Sequence, residues 1–391
     1  MKSKDICLPD YNGGSIVNLM SSIAVASGGR TLYSPLKDFG LEELKKYKNI
    51  ILVVVDGLGY NYLKKNGKGS VFNENLRGSM TSVFLPTTAC AITSFLTGVA
   101  PQQHAFTGWN INLKEVGLIS KILPFIPRVG GDVLSKQDIK MSQIIMAESF
   151  VSKIKRKSFI LNPQAVFNSD FTNYIAKGAK KLKYKTLQQF FNQLKKSIHG
   201  SDRKYIYAYW PEFDKNAHET GVGSKKTLDH FKKLDREFKK FVKFVNGTDT
   251  IVIVTSDHGF IDTPLNRIIK LENHPELEEC LSLPVCGEGR VAYCYVRASK
   301  IKQFEKYIKI KFKNYCWMYK SEELIKKNMF GLFKPSSKLS NRIGDYVLIM
   351  KENYIFRDKL LNEDKEPHIG HHAGISKDEM LVPLVVIKNN S

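Results

Sequence analysis

The chain of 391 residues carries 60 lysines and arginines against 38 aspartates and glutamates, a net charge of +22 at pH 7. An apolar fraction of 42% and a charged fraction of 25% are those of a globular protein and exclude a low-complexity or disordered chain. No stretch approaches the roughly 20 apolar residues of a membrane span, and the lysine-rich runs come without a zinc-finger, helix-turn-helix or RNA-binding signature. The charge suits anionic partners, but the runs at 153–157, 180–185 and 300–313 are scattered. They read chiefly as solvated, lysine-biased helix faces, with no specific nucleic-acid module.

Taken in order, Ile16 to Ala26 predicts a short amphipathic helix rather than an export signal, because Asp5, Pro9 and Asp10 spoil the basic segment a signal needs. A cytoplasmic protein is the expectation. The six cysteines form no CxxC pair and are expected as reduced thiols. The uninterrupted branched run Ile50 to Val55 predicts a central parallel strand buried on both faces, ended by Asp56-Gly57-Leu58-Gly59. Met80 to Leu85 is read as a second strand.

Phe84 to Gly98 follows as a loop running into a helix. Thr87 or Thr88 stands at its start, Ala91, Ile92, Phe95 and Leu96 carry the apolar spacing, and Gly98 with Pro101 ends it. A hydroxyl there either caps the helix or, in the field of the helix start, becomes a nucleophile or phosphate ligand. Cys90 is a rival nucleophile, although its apolar neighbours suit a packed small side chain. Residues 102–110 read as a polar and aromatic loop, 113–131 as a Gly- and Pro-punctuated stretch without clear period, 158–161 as a strand, and 186–199 and 224–245 as amphipathic helices. From about 266 to 364 the pattern changes to strands near 291–296 and 345–350 with a basic helix at 300–313, none carrying an acid–histidine pair.

Four segments place Asp or His beside strand-like runs. These are Asp56, Asp214 with His218, the adjacent Asp257 and His258, and His371-His372 before the strand at 381–387. In parallel α/β sheets, sites form beyond the carboxyl ends of strands. Each residue alone is more often a helix cap or a satisfied core histidine. Together they make a ligand set suited to two divalent metals, and therefore an enzyme.

The motifs Asp56-Gly57, Pro86-Thr87-Thr88 with Thr97-Gly98, Asp214-x-x-x-His218-x-x-Gly221, Ser256-Asp257-His258-Gly259 and His372-Ala373-Gly374 occur in this order. Across residues 50–387 they resemble the alkaline phosphatase superfamily, specifically its type I phosphodiesterase/nucleotide pyrophosphatase branch. The resemblance implies an α/β fold, an alkaline-phosphatase-like three-layer sandwich with a mostly parallel central sheet. The core would be residues 1–265 and 365–391, with an inserted small α+β subdomain at 266–364. It implies two zinc ions, manganese being the alternative. Asp214, His218 and His372 would hold one, and Asp56, Asp257, His258 and Thr88 the other.

The resemblance further implies that Thr88 is the nucleophile, since relatives place it nine residues before the Thr of Thr-Gly, here Thr97. Asn110 would hold a phosphoryl oxygen, with Asn112 as alternative. Two positions depart from the family pattern: His371-His372-Ala373-Gly374 leaves His371 as rival ligand, and His104-Ala105 stands where relatives have His-Gly. The implied activity is cleavage of phosphodiester or nucleotide pyrophosphate bonds through a phospho-threonine intermediate, on an anionic phosphodiester or nucleotide substrate. Phosphomonoester or phosphonoacetate hydrolysis on the same site is the alternative, and a non-enzymatic binder of nucleic acid or anionic surfaces a distant one. A sulfatase is excluded, because Thr88-Ala89-Cys90-Ala91-Ile92 lacks the Cys/Ser-x-Pro-x-Arg context.

Overall fold

The branched run forms β1 (Asn49–Val55), every residue of which is buried. Ile50, Leu52 and Val54 join one core cluster, and Ile51, Val53 and Val55 the other. This alternation is what a period-2 strand produces when layers cover both faces. The computed structural model describes residues 5–37, 39–361, 363 and 368–388. The 364/365 boundary expected for the insert lies outside the described residues.

Six further strands complete the central sheet: β2 (Leu76–Thr81), β3 (Lys157–Pro163), β4 (Ala179–Tyr184), β5 (Lys204–Trp210), β6 (Thr250–Thr255) and β7 (Leu381–Lys388). Among the described residues their order is β2-β7-β6-β1-β5-β3-β4. β1 pairs parallel with both β5 and β6, and only β7 runs antiparallel to its neighbours. The carboxyl ends of β1, β5 and β6 therefore lie side by side, with Val54 opposite Tyr209 and Thr255.

One face of the sheet is covered by α1 (Ile16–Ala26) and α2 (Thr88–Thr97). The other is covered by α3 (Leu187–Ser197) and α5 (Lys225–Val245), with α4 (Glu212–Thr220) between β5 and α5. This is the expected three-layer α/β sandwich. α1 is not amphipathic: apart from Val25 its residues are buried, because it lies inside a core cluster that also takes in Tyr11, Tyr33 and Phe95.

Three local expectations shift. The second strand spans Leu76–Thr81 rather than 80–85, since the amides of Ser82 and Phe84 donate outside the ladder, to Met380 O and Tyr11 Oη. The lysine run at 180–185 is largely strand, not helix: β4 is the exposed edge of the central sheet, where lysines discourage edge-to-edge pairing. The supposed loop after Pro101 contains the strands Asn110–Leu113, Leu118–Lys121 and Ile126–Pro127, too short for their period to stand out.

Those three strands belong to a second, antiparallel sheet of seven strands among the described residues. The other four come from the 266–364 segment: Cys286–Glu288, Val291–Cys294, Cys316–Lys320 and Tyr346–Met350. Val291, Tyr293, Val347 and Ile349 face the main core, whereas Ala292, Cys294, Leu348 and Met350 face a third cluster. That cluster is closed by Phe304, Ile308 and Phe312 of the basic helical segment, whose lysines 302, 306, 309, 311 and 313 point to solvent. No helix among the described residues is long and apolar enough to cross a membrane.

Candidate active site

Asp56 follows β1, Asp214 and His218 lie on α4 after β5, and Asp257 and His258 follow β6. The turn after β1 requires a glycine. Gly57 has φ +76, and a Cβ there would come within 2.5 Å of the Phe260 ring and 3.2 Å of Asp214 Cα. Gly259 is equally constrained, because a Cβ would meet Asp378 O at 1.9 Å. Small residues thus let three strand ends and the chain before β7 converge.

Two groups of side chains meet at His258: Asp56, Asp257 and His258 form one, and Asp214, His258 and His372 the other. His258 Nε2 lies 3.3 Å from Asp56 Oδ1, 3.5 Å from Asp257 Oδ2 and 3.9 Å from Asp214 Oδ1. His218 lies beside the second group, its Nε2 3.4 Å from Asp214 Oδ1 and 3.2 Å from His372 Nε2. The i, i+4 spacing of Asp214 and His218 places both on one face of α4. His371 turns away, its Nε2 against His368 O at 2.9 Å.

These atoms fit divalent cations. Among the described residues, Asp56 Oδ1, Asp214 Oδ1, Asp257 Oδ2 and His372 Nδ1 are buried without a hydrogen-bond partner. Uncompensated buried carboxylates cost several kcal/mol apiece. His218 Nδ1 lies 2.9 Å from Gly370 O and His258 Nδ1 lies 3.1 Å from Gly259 O. A carbonyl only accepts, so each Nδ1 carries a proton, which leaves the Nε2 atoms, turned toward the carboxylates, as the nitrogens that would bind a metal.

Charge crowding has the expected consequences. Burial, then Asp257 and Asp214, push the Asp56 carboxyl well above the usual range. Burial, then His258 and His218, hold His372 far below the ordinary imidazole value. Burial would lower His218 as well, but the Asp214 carboxylate outweighs it and raises the group. The remaining Asp56 oxygen accepts from the Tyr209 hydroxyl, and Asp257 Oδ1 accepts from the Gly57 and His258 amides at 3.0 Å each.

The threonines take different roles. Thr88 opens α2, and its Oγ1 lies 3.3 Å from His258 Nε2. Thr87 occupies the cap position, but its hydroxyl caps nothing; it donates to Glu288 Oε1 at 2.7 Å. Cys90 is fully buried, and burial pushes its thiol up, which removes it as a nucleophile.

Asn110 starts a strand of the second sheet, and its buried Oδ1 has no partner among the described residues. Asn112 lies two residues further along the same strand. Beside Thr88 opens a cavity of about 730 Å³ whose wall includes Ile92, Leu96, Trp109, Phe171 and Tyr209. Tyr209, Trp109 and Glu288 were not singled out in the sequence. Tyr209 carried a signal, its place at the end of a strand that feeds the site; the other two carried none.

The sequence model of the type I phosphodiesterase / nucleotide pyrophosphatase family matches residues 50–374. No curated protein is matched by the sequence. Among solved structures, murine ectonucleotide pyrophosphatase/phosphodiesterase 5, in an inactive form complexed with AMP, aligns with a TM-score of 0.65 at 17% identity, covering 86% of this chain and 87% of that one. Its human counterpart aligns with a TM-score of 0.63 at 15% identity, covering 86% and 87%. Phosphonoacetate hydrolase from Sinorhizobium meliloti, with phosphonoacetate, gives 0.65 at 14%, covering 88% and 91%. At such identities the likeness speaks for the fold. With the family match over most of its length, the chain belongs to the type I phosphodiesterase/nucleotide pyrophosphatase family and is a phosphoric ester hydrolase.

Proposed function

We propose that the protein cleaves phosphodiester or nucleotide pyrophosphate bonds with Thr88 as nucleophile at a site for two zinc ions. The observation that carries this reading is the Thr88 hydroxyl, at a helix start and 3.3 Å from the histidine where both carboxylate–imidazole groups meet. Asp214, His218 and His372 would hold one ion, and Asp56, Asp257, His258 and Thr88 the other. When bound, two such cations lower the pKa of a ligated hydroxyl and stabilise the attacking and leaving oxygens of an in-line displacement.

Thr88 Oγ gives its proton to water and forms a bond to phosphorus as the bond to the leaving oxygen breaks, and that oxygen departs with a proton taken back from water. Water then attacks the phospho-threonine, releasing the phosphate product and restoring the hydroxyl. The Asn110 amide donates to a phosphoryl oxygen, as do the unbonded amides of the first turn of α2. Tyr209, by donating to Asp56, fixes the orientation of that carboxylate. The cavity lined by Trp109, Tyr209 and Phe171 suits the flat or apolar part of a diester, such as a nucleoside. Membership of an enzyme family sets aside the non-enzymatic binder. All six cysteines are free thiols, which supports a reducing, cytoplasmic setting.

The test is hydrolysis of bis-p-nitrophenyl phosphate against p-nitrophenyl phosphate by zinc-loaded protein, with Thr88→Ala alongside. Diester preference, lost in the variant, is the expected result. Monoester preference would move the protein to the phosphomonoesterase alternative, and activity only on phosphonoacetate to the phosphonate one. Full activity of Thr88→Ala would overturn the nucleophile.

A further inference from the structure

We propose that Glu288 is a positioning residue for phosphoryl transfer, holding the Thr88 helix start and the Asn110 strand at a fixed separation. The inference rests on the roles proposed above for Thr88 and Asn110. Glu288 ends the strand Cys286–Glu288 of the second sheet, and its Oε1 accepts two hydrogen bonds. One comes from Thr87 Oγ1 at 2.7 Å and the other from the Trp109 amide at 3.1 Å. Each donor immediately precedes one of the proposed site residues, Thr88 and Asn110. A single carboxylate oxygen therefore ties together the two chain segments that must close on one phosphoryl group.

The backbone around this clamp has no slack. Asn110 pairs with Gly287 across the sheet, and a Cβ on Gly108 would lie 2.8 Å from Gly287 Cα. The clamp also decides what the helix start offers. A threonine at the cap position ordinarily turns its oxygen back onto an amide of the first turn. Here that hydroxyl is drawn to Glu288 instead, and no side-chain cap forms. The Cys90 amide already donates to Thr87 O, and the Thr88 and Ala89 amides stay available for the oxygens of a group bonded to Thr88. Without the Glu288 acceptor, Thr87 is free to cap the helix and withdraw one of those donors. Burial pushes the Glu288 carboxyl up to about 7, against the Thr87 hydroxyl, His218 and the Trp109 amide, which pull it down.

The experiment compares wild type, Glu288→Ala, Glu288→Gln, Thr87→Val and the Glu288→Ala/Thr87→Val double variant on bis-p-nitrophenyl phosphate. Zinc content, melting temperature and the inhibition constant of inorganic phosphate are measured in parallel. Glu288→Ala should lower kcat about 10- to 100-fold, the scale on which small misplacements act, and weaken phosphate inhibition, with KM and zinc content little changed. Glu288→Gln, which keeps the acceptor oxygen, should recover most of the rate. The double variant should be no slower than the slower single variant, because both changes break one clamp. An unchanged kcat in Glu288→Ala, with Thr88→Ala inactive, overturns the inference and leaves the proposed function standing. Equal loss in Gln and Ala variants together with loss of zinc or of the folded state also overturns it, since Glu288 would then be structural only. Wild type inactive on diesters, or Thr88→Ala fully active, instead removes the reading on which the inference rests.

Discussion

Arg290 and Glu379 form a two-pronged ion pair, Nε to Oε1 and Nη2 to Oε2, both at 3.0 Å, with side chains 2% and 0% exposed. Glu379 also accepts from the Gly374 amide and the Ser376 hydroxyl, each at 2.7 Å, and Arg290 donates to the carbonyls of Glu352 and Tyr354. The pair joins the second sheet to the His372-Ala373-Gly374 turn, and so sets where His372 stands. Removing one partner of such a pair leaves a buried charge uncompensated, at a cost of about 3–5 kcal/mol. Arg290→Met and Glu379→Gln should each lose stability on that scale in urea unfolding of the zinc-loaded protein. A loss below about 1 kcal/mol would show that water reaches the pair.

Thr88→Ser keeps a hydroxyl at the helix start and should retain measurable turnover. Thr88→Ala should lose at least about 10³-fold in kcat, as removal of a covalent nucleophile does. Quenched-flow capture of a labelled phospho-enzyme separates the two: label should appear on the wild type and not on Thr88→Ala. Equal labelling of both would point to another nucleophile.

Removal of metal should lower the melting temperature reversibly. The orphaned oxygens of Asp56, Asp214 and Asp257 repel one another without a cation. A ligand bound only by the folded state adds about 2.7 kcal/mol at one hundred times its dissociation constant. Calorimetry with a chelator and then with restored zinc checks this. An identical transition in both would mean that the site holds no tightly bound ion.

Both departures from the family's His-Gly pattern fall where a glycine is favoured. Ala105 has φ +60 and Ala373 has φ +90, a region costing an L-residue roughly 1–2 kcal/mol, partly offset by glycine's larger folding entropy. Ala105→Gly and Ala373→Gly should therefore each stabilise the protein by about 0.5–1 kcal/mol in denaturant unfolding. Destabilisation by either would mean that contacts of the methyl group outweigh the backbone strain.

His104 is a core residue, not a ligand. Its Nδ1 accepts from the Phe106 amide at 3.0 Å and its Nε2 faces Ser94 Oγ at 3.0 Å. Burial, and then Arg342, lower it to about 3. With the folded value below the ordinary imidazole value, the unfolded chain binds the extra proton. Stability is therefore retained above about pH 6.5 and lost as pH falls toward 3, by up to about 1.4 kcal/mol per pH unit. His104→Gln should flatten that acid limb by about one proton, measured by urea unfolding between pH 4 and 7. An unaltered slope would mean that other groups carry the acid sensitivity.

Much of the site was legible because its signals are local. A branched run buried on both faces announces a central strand, and an acid directly after it must stand at the sheet's carboxyl edge. This holds for Asp56 and, one residue further on, for Asp257, while Asp214 and His218 share a face through spacing alone. The helix from Thr88 to Thr97 and its left-handed stop at Gly98 follow from residues within one short window. Weak or misleading local signals failed in the same physical terms. The strands of 110–127 are too short to show a period, and the lysines of β4 mark a sheet edge rather than a helix face.

What only the tertiary structure decided are relations between distant residues. His258 stands in both carboxylate–imidazole groups because three strand ends converge on it. The Thr87 hydroxyl is drawn to Glu288, 201 residues away, while that of Thr88 faces His258. The His372 turn is held by a pair separated by 89 residues. Such contacts leave no periodic trace in the chain. They arise when packing forces buried polar groups to find partners, and the sequence by itself names the candidates but not the pairs.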